Sequence, residues 1–207
     1  MIKRFIRRVL GLASEGMTRV PRDRHGLSRD ALSPAAAKVC ATLREAGFSA
    51  YVVGGAVRDL LLGIVPKDFD IATDARPEQV KPLFRRALII GRRFRLVHVL
   101  MGPETVEVST FRAADTDTAE KDEHGRVLRD NVFGTIEEDA RRRDFTVNAL
   151  YFDPATEEVV DFHGGLADLR KRTLRVIGEP QTRYREDPVR MLRGVRLAAK
   201  RGLTLEA

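Results

Sequence analysis

The chain has 207 residues, enough for one or two domains with a buried core. Its hydrophobic content of 43% and charged content of 32% are those of a soluble globular protein, and no apolar run approaches the ~18 residues that span a bilayer, so stable membrane insertion is not expected. The single cysteine, Cys40, excludes an internal disulfide and cysteine-based zinc clusters, and it suits a reducing cytoplasm.

The formal net charge is +7, and much of the excess lies near the N-terminus. Residues 1–33 contain eight basic side chains against three acidic ones. A basic segment favours a polyanion through counterion release, although such charge also serves solubility alone. We therefore expect residues 1–32 to form a basic, extended or disordered arm that contacts nucleic acid.

Hydrophobic periodicity and turn residues predict alternating helices and strands from residue 33 onward. Helices are predicted at 35–46, 56–62, 77–86, 136–143, 146–152, 166–170 and 186–200. Strands are predicted at 49–53, 69–73, 87–90, 94–101 and 105–111, with a hairpin-like pair at 159–162 and 173–177. Residues 112–130 are polar without periodicity and predict a mobile loop. The chain ends at Ala207 without a strong stop signal, from which we expect a fragment.

Two carboxylates lie two residues apart in the predicted strand that follows a glycine turn. Asp68 and Asp70 would project to one face, because side chains alternate along a strand. Adjacent acids repel one another unless a cation lies between them, and Mg²⁺ prefers oxygen ligands. Gly54 and Gly55, a short way upstream, offer backbone N–H groups to phosphates. Each feature alone is common in surface turns, but their order predicts a metal-dependent nucleotidyl transfer site.

Glu107 is the candidate third acid. Val106, Val108 and Thr110 alternate with Glu107 and Ser109, so Glu107 lies on the polar face of its strand. If that strand neighbours the one with Asp70, three acids can hold two Mg²⁺ ions about 4 Å apart, the arrangement used for in-line displacement at phosphorus. A solvent-facing strand residue is the alternative.

Three further clusters are candidate binding groups. The segment 138–149 contains Asp144 and Asn148 at i and i+4, beside Arg142 and Arg143, which suit phosphate or carboxylate; a charged surface helix is the alternative. In segment 185–190, a carboxylate and an arginine one turn apart can present donors and acceptors to a base, or merely cap a helix. In segment 90–99, three arginines beside an aromatic suit RNA, or protect a strand edge; these are Arg92, Arg93 and Arg95.

With these motifs, residues 20–205 resemble the bacterial poly(A) polymerases, a class II family shared with the CCA-adding tRNA nucleotidyltransferases. The first motif reads Gly54-Gly55-x-Val57-Arg58-Asp59 through Asp68-Phe69-Asp70, the second reads Arg142-Arg143-Asp144-Phe145-Thr146-x-Asn148-Ala149, and the third reads Glu186-Asp187-x-x-Arg190. The segment 91–99 resembles the polymerase branch more than the tRNA-repairing branch.

The resemblance implies the following roles. Asp68, Asp70 and Asp144 would be catalytic, and Asp68, Asp70 and Glu107 would hold two Mg²⁺ ions, with Mn²⁺ as an alternative. The nucleotide would be bound by Gly54, Gly55, Arg58, Arg142, Arg143, Asn148, Glu186, Asp187 and Arg190. RNA would contact Arg92, Arg93 and Arg95.

The implied fold is α+β: a nucleotidyltransferase head of the DNA polymerase β type, with a mixed or antiparallel sheet flanked by helices, at 33–152, followed by the start of a helical neck at 153–207. The implied activity is template-independent addition of AMP from ATP to RNA 3′ ends. CCA addition to tRNA is the alternative among enzymes, and an RNA-binding fragment without turnover is the alternative of another class.

Overall fold

The structure, a computed structural model, describes residues 16–91, 94–113, 120–121, 127–129 and 132–206. The strands are β1 Thr18–Val20, β2 Ala50–Val53, β3 Asp70–Thr73, β4 Ala87–Ile90, β5 Leu96–Met101, β6 Glu104–Thr110, β7 Glu120–Lys121, β8 Val127–Arg129, β9 Leu150–Asp153, β10 Glu158–Asp161, β11 Thr173–Leu174 and β12 Thr204–Leu205. The α-helices are α1 Arg22–His25, α2 Pro34–Glu45, α3 Gly55–Leu61, α4 Pro77–Val80, α5 Ile136–Arg141, α6 Gly165–Arg170, α7 Pro180–Glu186 and α8 Val189–Arg201. Short 3₁₀ turns occupy Arg29–Ala31, Lys81–Leu83 and Thr146–Asn148.

Eight strands form one mixed sheet in the order β1-β10-β9-β2-β3-β6-β5-β4. Neighbouring strands are antiparallel except β3 and β6, which run parallel. The short strands β11 and β12 pair in parallel, and β7 pairs with β8. No helix within the described residues is long and apolar enough to span a bilayer. The α+β fold with a mixed sheet and flanking helices, as expected, is confirmed.

Alternation along the strands gives the sheet two different faces. One face packs on α2 and forms the larger core, with Val52, Ile71 and Val108 among its buried residues. The other face carries a smaller cluster that includes Val53, Ala72 and Tyr151, and α5 contributes Ala140 to it. Because Asp70 precedes Ile71 in β3, its side chain projects from this second face. The first face therefore supplies most of the packing energy, and the second is available for chemistry.

Helix α2 begins where the sequence indicates. The Ser33 hydroxyl accepts a hydrogen bond from the Ala36 N–H at 3.1 Å, and Pro34 occupies the first helical position, where its missing N–H costs nothing. Its apolar face is buried from Ala35 to Leu43. Gly47 follows the helix with a φ of 87°, which a residue with a Cβ rarely adopts. Local signals thus determine this element completely.

The predicted helix at 146–152 is wrong. Residues 146–148 make a single 3₁₀ turn, and Leu150–Asp153 is strand β9, which lies between β10 and β2. All four residues of β9 are buried, since both sheet faces are covered there. A strand buried on both sides reads as a continuous apolar run, and periodicity cannot separate such a run from a buried helix.

The predicted arm at 1–32 is wrong where the chain is described, and residues 1–15 lie outside that part. Strand β1 pairs with β10, and Arg19 forms an ion pair with Glu158 at 3.3 Å. The predicted pairing of 159–162 with 173–177 is also wrong, because β10 pairs with β1 and β9 while β11 pairs with β12. The β1–β10 and β11–β12 pairings join segments far apart in the sequence. The sheet consequently extends beyond both boundaries of the predicted head, 33–152.

Two predicted helices are shorter in the structure than in the prediction. The helix from Pro77 ends at Val80 and continues as a 3₁₀ turn, because Pro82 has no N–H to donate. The helix predicted at 186–200 begins later, at Val189, as α8, and Glu186 instead ends the separate helix α7, which was not predicted; Asp187 and Pro188 separate the two. Proline disfavours helical backbone at the preceding residue, and Asp187 is extended, with φ −148° and ψ 91°. Within the predicted loop 112–130, β7 and β8 form a two-stranded ribbon.

Candidate active site

Asp70 and Glu107 are cross-strand neighbours. They are register partners in the parallel pair β3–β6, so their side chains share the second face of the sheet. Asp70 is exposed and Glu107 is half-buried, so both carboxylates reach solvent. The predicted adjacency of these two strands is confirmed.

Asp68 lies just before the first residue of β3 rather than within a strand. Phe69 is buried in the larger core, whereas Asp68 and Asp70 on either side of it are both exposed. Asp68 raises the pKa of Asp70 by repulsion between the two carboxylates. Burial of the Phe69 side chain thus fixes the backbone between the two aspartates.

The pKa of Asp70 is raised from 3.8 to about 6. Partial removal of water is the largest cause, followed by repulsion from Glu107; Asp68 adds to the increase, and Arg143 opposes it. A carboxylate held against two like charges is disfavoured until a cation shares the site. The ionised form of Asp70 is therefore destabilised by its two acidic neighbours.

The acids fit a divalent cation in donor type, since carboxylate oxygens are the ligands that Mg²⁺ prefers. In the part of the chain that the structure describes, however, no three acidic, histidine or cysteine side chains converge closely enough to hold a metal ion. Binding of a cation by Asp68, Asp70 and Glu107 therefore requires their side chains to move together.

The glycine turn lies beside the acid cluster. Gly54 has φ 74° and ψ −128°, a backbone conformation that is open essentially to glycine alone, and its N–H donates to the Leu150 carbonyl at 3.2 Å. A Cβ at Gly54 would lie 3.4 Å from Nη1 of Arg143. Gly55 begins α3, which is buried at Ala56, Val57, Arg58 and Asp59. Arg143 therefore lies next to the glycine turn and acts on Asp70.

Arg143 and Arg142 are held by a carboxylate that the sequence analysis did not select. Asp139, buried in α5, pairs with Nη2 of Arg143 at 3.0 Å and with Nη2 of Arg142 at 2.5 Å. It also accepts a hydrogen bond from the Tyr151 hydroxyl at 2.7 Å, and Arg143 Nε donates to the same hydroxyl at 2.9 Å. Burial opposes ionisation of Asp139, but the two arginines outweigh it and lower its pKa to about 2.

Asp144, Asn148 and Arg58 contact one another. Asn148 Nδ2 donates to Asp144 Oδ1 at 3.1 Å, although Asn148 ends a 3₁₀ turn that begins two residues after Asp144, and the two do not share the predicted helix face. Arg58 Nη1 donates to Asn148 Oδ1 at 2.5 Å, and Nη2 of Arg58 pairs with Asp59 at 2.7 Å. The other oxygen of Asp144 pairs with Arg193 at 2.6 Å. Arg58 is buried, so its guanidinium is engaged with protein groups.

The third motif is organised around Arg183. Glu186 pairs with Arg183 at 2.7 Å and with Arg190 at 3.3 Å, and Arg190 Nη1 donates to the Arg183 carbonyl at 2.6 Å. Asp187 Oδ1 accepts from the N–H of Val189, the first residue of α8, at 3.2 Å. Nη2 of Arg183 donates to the carbonyls of Arg142 and Arg143, each at 2.9 Å. This side chain joins the second and third motifs.

The arginines proposed for RNA are only partly described. Arg92 and Arg93 lie outside the described residues. Arg95 forms an ion pair with Glu78 at 2.5 Å, and both side chains are substantially exposed. Its contact with RNA stays a prediction.

The sequence analysis missed the residues that support the site. Asp139 lies three and four residues before Arg142 and Arg143, a spacing that places them on one helix face and could have revealed the pairing. The other supporting residues are Asp59, Tyr151, Arg183, Arg193 and Arg201. Their long-range contacts, namely Tyr151 with Arg143, Arg183 with the Arg142 carbonyl and Arg201 with Asp59, join residues 8, 41 and 142 positions apart, so no local spacing indicates these contacts.

A mixed sheet with adjacent acidic strand positions beside a glycine turn defines a nucleotidyltransferase head. The profile of the "Poly A polymerase head domain" matches residues 50–175. The chain belongs to this family of poly(A) polymerase head domains.

The chain is 54% identical over 195 residues to "Poly(A) polymerase I" of Salmonella typhi, a match covering 91% of this chain and 42% of that protein. It is 42% identical over 168 residues to the "CCA-adding enzyme" of Lactobacillus helveticus, which covers 81% of this chain and 41% of that protein. The crystal structure of the Bacillus stearothermophilus CCA-adding enzyme in complex with CTP is similar with a TM-score of 0.70 and 36% identity, over 84% of this chain and 42% of that one. The chain thus spans about two fifths of the length of the relatives it matches.

Proposed function

We propose that this chain carries the catalytic head of a polynucleotide adenylyltransferase, a poly(A) polymerase that adds AMP from ATP to RNA 3′ ends and releases pyrophosphate. The observation that carries the proposal is the register pairing of Asp70 with Glu107 on the face where Arg143 meets the Gly54–Gly55 turn. The greater identity to "Poly(A) polymerase I" than to the "CCA-adding enzyme" supports adenylate addition. RNA and ATP are then its partners, and the cytoplasm is where it meets them.

Asp68, Asp70 and Glu107 are the groups that would hold two Mg²⁺ ions, or Mn²⁺ in their place. Ions held by these carboxylates would lower the pKa of a 3′-hydroxyl and would offset the charge of the leaving pyrophosphate. The Gly54–Gly55 turn would let the triphosphate approach the backbone, with the Gly55 N–H as the donor, because the Gly54 N–H already donates to the Leu150 carbonyl. Arg143, held rigidly by Asp139, supplies positive charge beside this turn. The two arginines of the second motif thus share one buried counter-ion.

Asp144 and Asn148 are proposed to face the ribose, and Glu186, Asp187 and Arg190 the base. In the structure each of these groups already contacts another protein group. A bound nucleotide would therefore either replace those contacts or add further hydrogen bonds to them. Arg58 is better explained as a support for Asn148 than as a phosphate ligand, because Nε, Nη1 and Nη2 all bond to protein side chains.

The alternative enzyme function, CTP and ATP addition to tRNA, is favoured by one observation, the similarity to the CCA-adding enzyme solved with CTP. Extension of labelled RNA by the full-length protein separates the two. We expect long A-tails on an unstructured RNA with ATP and little incorporation of CTP. One to three residues added only to a tRNA lacking its 3′ end would instead establish CCA addition. RNA binding without incorporation of either nucleotide would establish the non-catalytic alternative.

Cation binding can be measured without turnover. We expect Mg²⁺ to raise the thermal unfolding midpoint of the full-length protein in the absence of nucleotide, because the cation relieves the repulsion among Asp68, Asp70 and Glu107. The Asp70→Asn variant, which has one charge fewer in the cluster, should lose most of this increase. Scanning calorimetry at fixed ionic strength makes the measurement. An equal effect of Mg²⁺ on both proteins would reject the assignment of these acids as cation ligands.

A further inference from the structure

Asp59 joins two parts of the chain that are distant in sequence. Its side chain is buried, and Oδ1 accepts from Nε of Arg58, its neighbour in α3, at 2.9 Å. The same carboxylate receives two hydrogen bonds from Arg201, at the end of α8: Nε donates to Oδ1 at 2.9 Å and Nη2 to Oδ2 at 2.5 Å. This fork-to-carboxylate geometry is the most directional ion pair available to proteins.

The contacts continue from Asp59 to the second motif. Arg58 reaches Asn148, Asn148 reaches Asp144, and Asp144 pairs with Arg193, which again belongs to α8. Helix α8 is therefore attached at two points eight residues apart, about 12 Å along its axis. We call this closed series of contacts the α8 clasp; its members are Asp59, Arg58, Asn148, Asp144, Arg193 and Arg201.

Stability alone does not explain the clasp. Buried ion pairs contribute little net free energy compared with apolar groups of the same volume, because both charges lose their water. Such pairs are instead directional, and they hold two elements at one distance and angle. Here the elements are α3, which begins at the glycine turn, and α8, which follows the third motif. The clasp thus spans the two sides of the nucleotide site.

We propose that Asp59 and Arg201 are positioning residues for nucleotide binding. They fix α8 to α3, and through Arg58 they hold Asn148 against the glycine turn, whose Gly54 lies close to the Asn148 carbonyl. Neither residue belongs to the groups proposed to touch the nucleotide. The inference rests on the proposed function, and it adds that nucleotide affinity depends on an ion pair outside the nucleotide site.

The test is a double-mutant cycle in the full-length protein with Asp59→Asn, Arg201→Met and the double substitution. We expect each single variant to raise KM for ATP about tenfold while KM for RNA changes less than twofold. The double variant should have a KM for ATP no higher than that of either single variant, because both substitutions break the same contact. Arg201→Lys, which keeps the charge but loses the fork, should lie between wild type and Arg201→Met and serves if a more drastic variant fails to fold. Lys200→Met, an exposed neighbour, is the control and should change neither constant.

A purely structural ion pair gives a different result. It lowers the unfolding midpoint but leaves KM for ATP unchanged at temperatures where the variants are folded, and that outcome, or additive effects in the double variant, would overturn the proposal. The dissociation constant of a fluorescent ATP analogue, measured in parallel, separates the effect of the clasp on nucleotide binding from any effect on AMP transfer. A wild-type protein that binds the analogue but adds no AMP refutes the proposed activity, and the analogue's affinity for the variants then decides on the clasp alone.

Discussion

Asp70→Asn is expected to abolish AMP incorporation and, at the same time, to stabilise the folded protein at pH 7. Loss of a carboxylate that would hold the cation offsetting the developing negative charge should reduce turnover on the order of 10³-fold or more. Because the pKa of Asp70 is raised to about 6, its contribution to stability is fully present below pH 3.8 and is lost as the pH rises through 6. At pH 7 the ionised side chain is therefore unfavourable, and a neutral amide relieves the repulsion from Glu107 and Asp68.

The stabilisation should be about 1 kcal/mol, because solvent screens an exposed carboxylate. Extension assays on the full-length protein measure the loss of turnover, and urea unfolding at pH 7 measures the stability. RNA affinity, followed by filter binding, should remain nearly unchanged. Asp30→Asn, an exposed aspartate far from Asp70 in the sequence, is the matched control and should alter none of the three quantities. A variant that is both active and unchanged in stability would remove Asp70 from the proposed acid cluster.

Asp139→Asn should lower the free energy of unfolding by about 3–5 kcal/mol, the effect of removing one partner from a buried ion pair. Its side chain is only 1% exposed and balances Arg142 and Arg143, so the variant leaves two guanidinium groups without their counter-ion. Incorporation should also fall, because Arg143 loses its anchor beside the glycine turn. Urea unfolding of the full-length variant measures the change. Glu137→Gln on the same helix breaks an exposed pair with Arg141 and should cost less than about 0.5 kcal/mol.

Asp139 should also make the stability of the protein depend on pH in the acid range, and we call this loss of stability between about pH 4 and about pH 2 the acid limb. The folded protein lowers the pKa of Asp139 from 3.8 to about 2, so its stabilisation is present above pH 4 and is lost as the pH falls from about 4 to about 2. The Asp139→Asn variant should lack this limb when unfolding is followed between pH 5 and pH 2. An equal acid dependence in wild type and variant would assign the limb to other carboxylates.

The elements that could be predicted from the sequence are those whose signals are local. Helix α2 has its own cap at Ser33, and β6 shows its buried and exposed faces in the alternation of Val106, Glu107 and Val108. The errors at β9 and β1 have another origin. Strand β9 is apolar on both sides, and β1 is short and polar, so neither has a pattern that indicates a strand. Both exist because β10 lies between them and supplies hydrogen-bond partners to each.

The residues of the candidate site also fall into two groups, those with a local signal in the sequence and those without one. The spacing of Asp68 and Asp70 after a glycine pair indicated an acid cluster, since the relevant residues are within 17 positions of one another. The opposite holds for the groups that orient the site. Asp59 and Arg201 are 142 residues apart, and Arg183 reaches carbonyls 40 and 41 residues away. Arginine side chains are long and abundant in this chain, so the sequence offers many partners for each carboxylate and no means of choosing among them.

The sequence by itself therefore determined the kind of chemistry that we propose for this protein, because the types of side chain and their short spacings limit which ligands they can bind. Only the tertiary structure decided which arginine neutralises which carboxylate, which strand covers which edge, and that Arg58 supports Asn148. Those choices depend on the path of the backbone through the sheet, and that path is set by the packing of both faces at once.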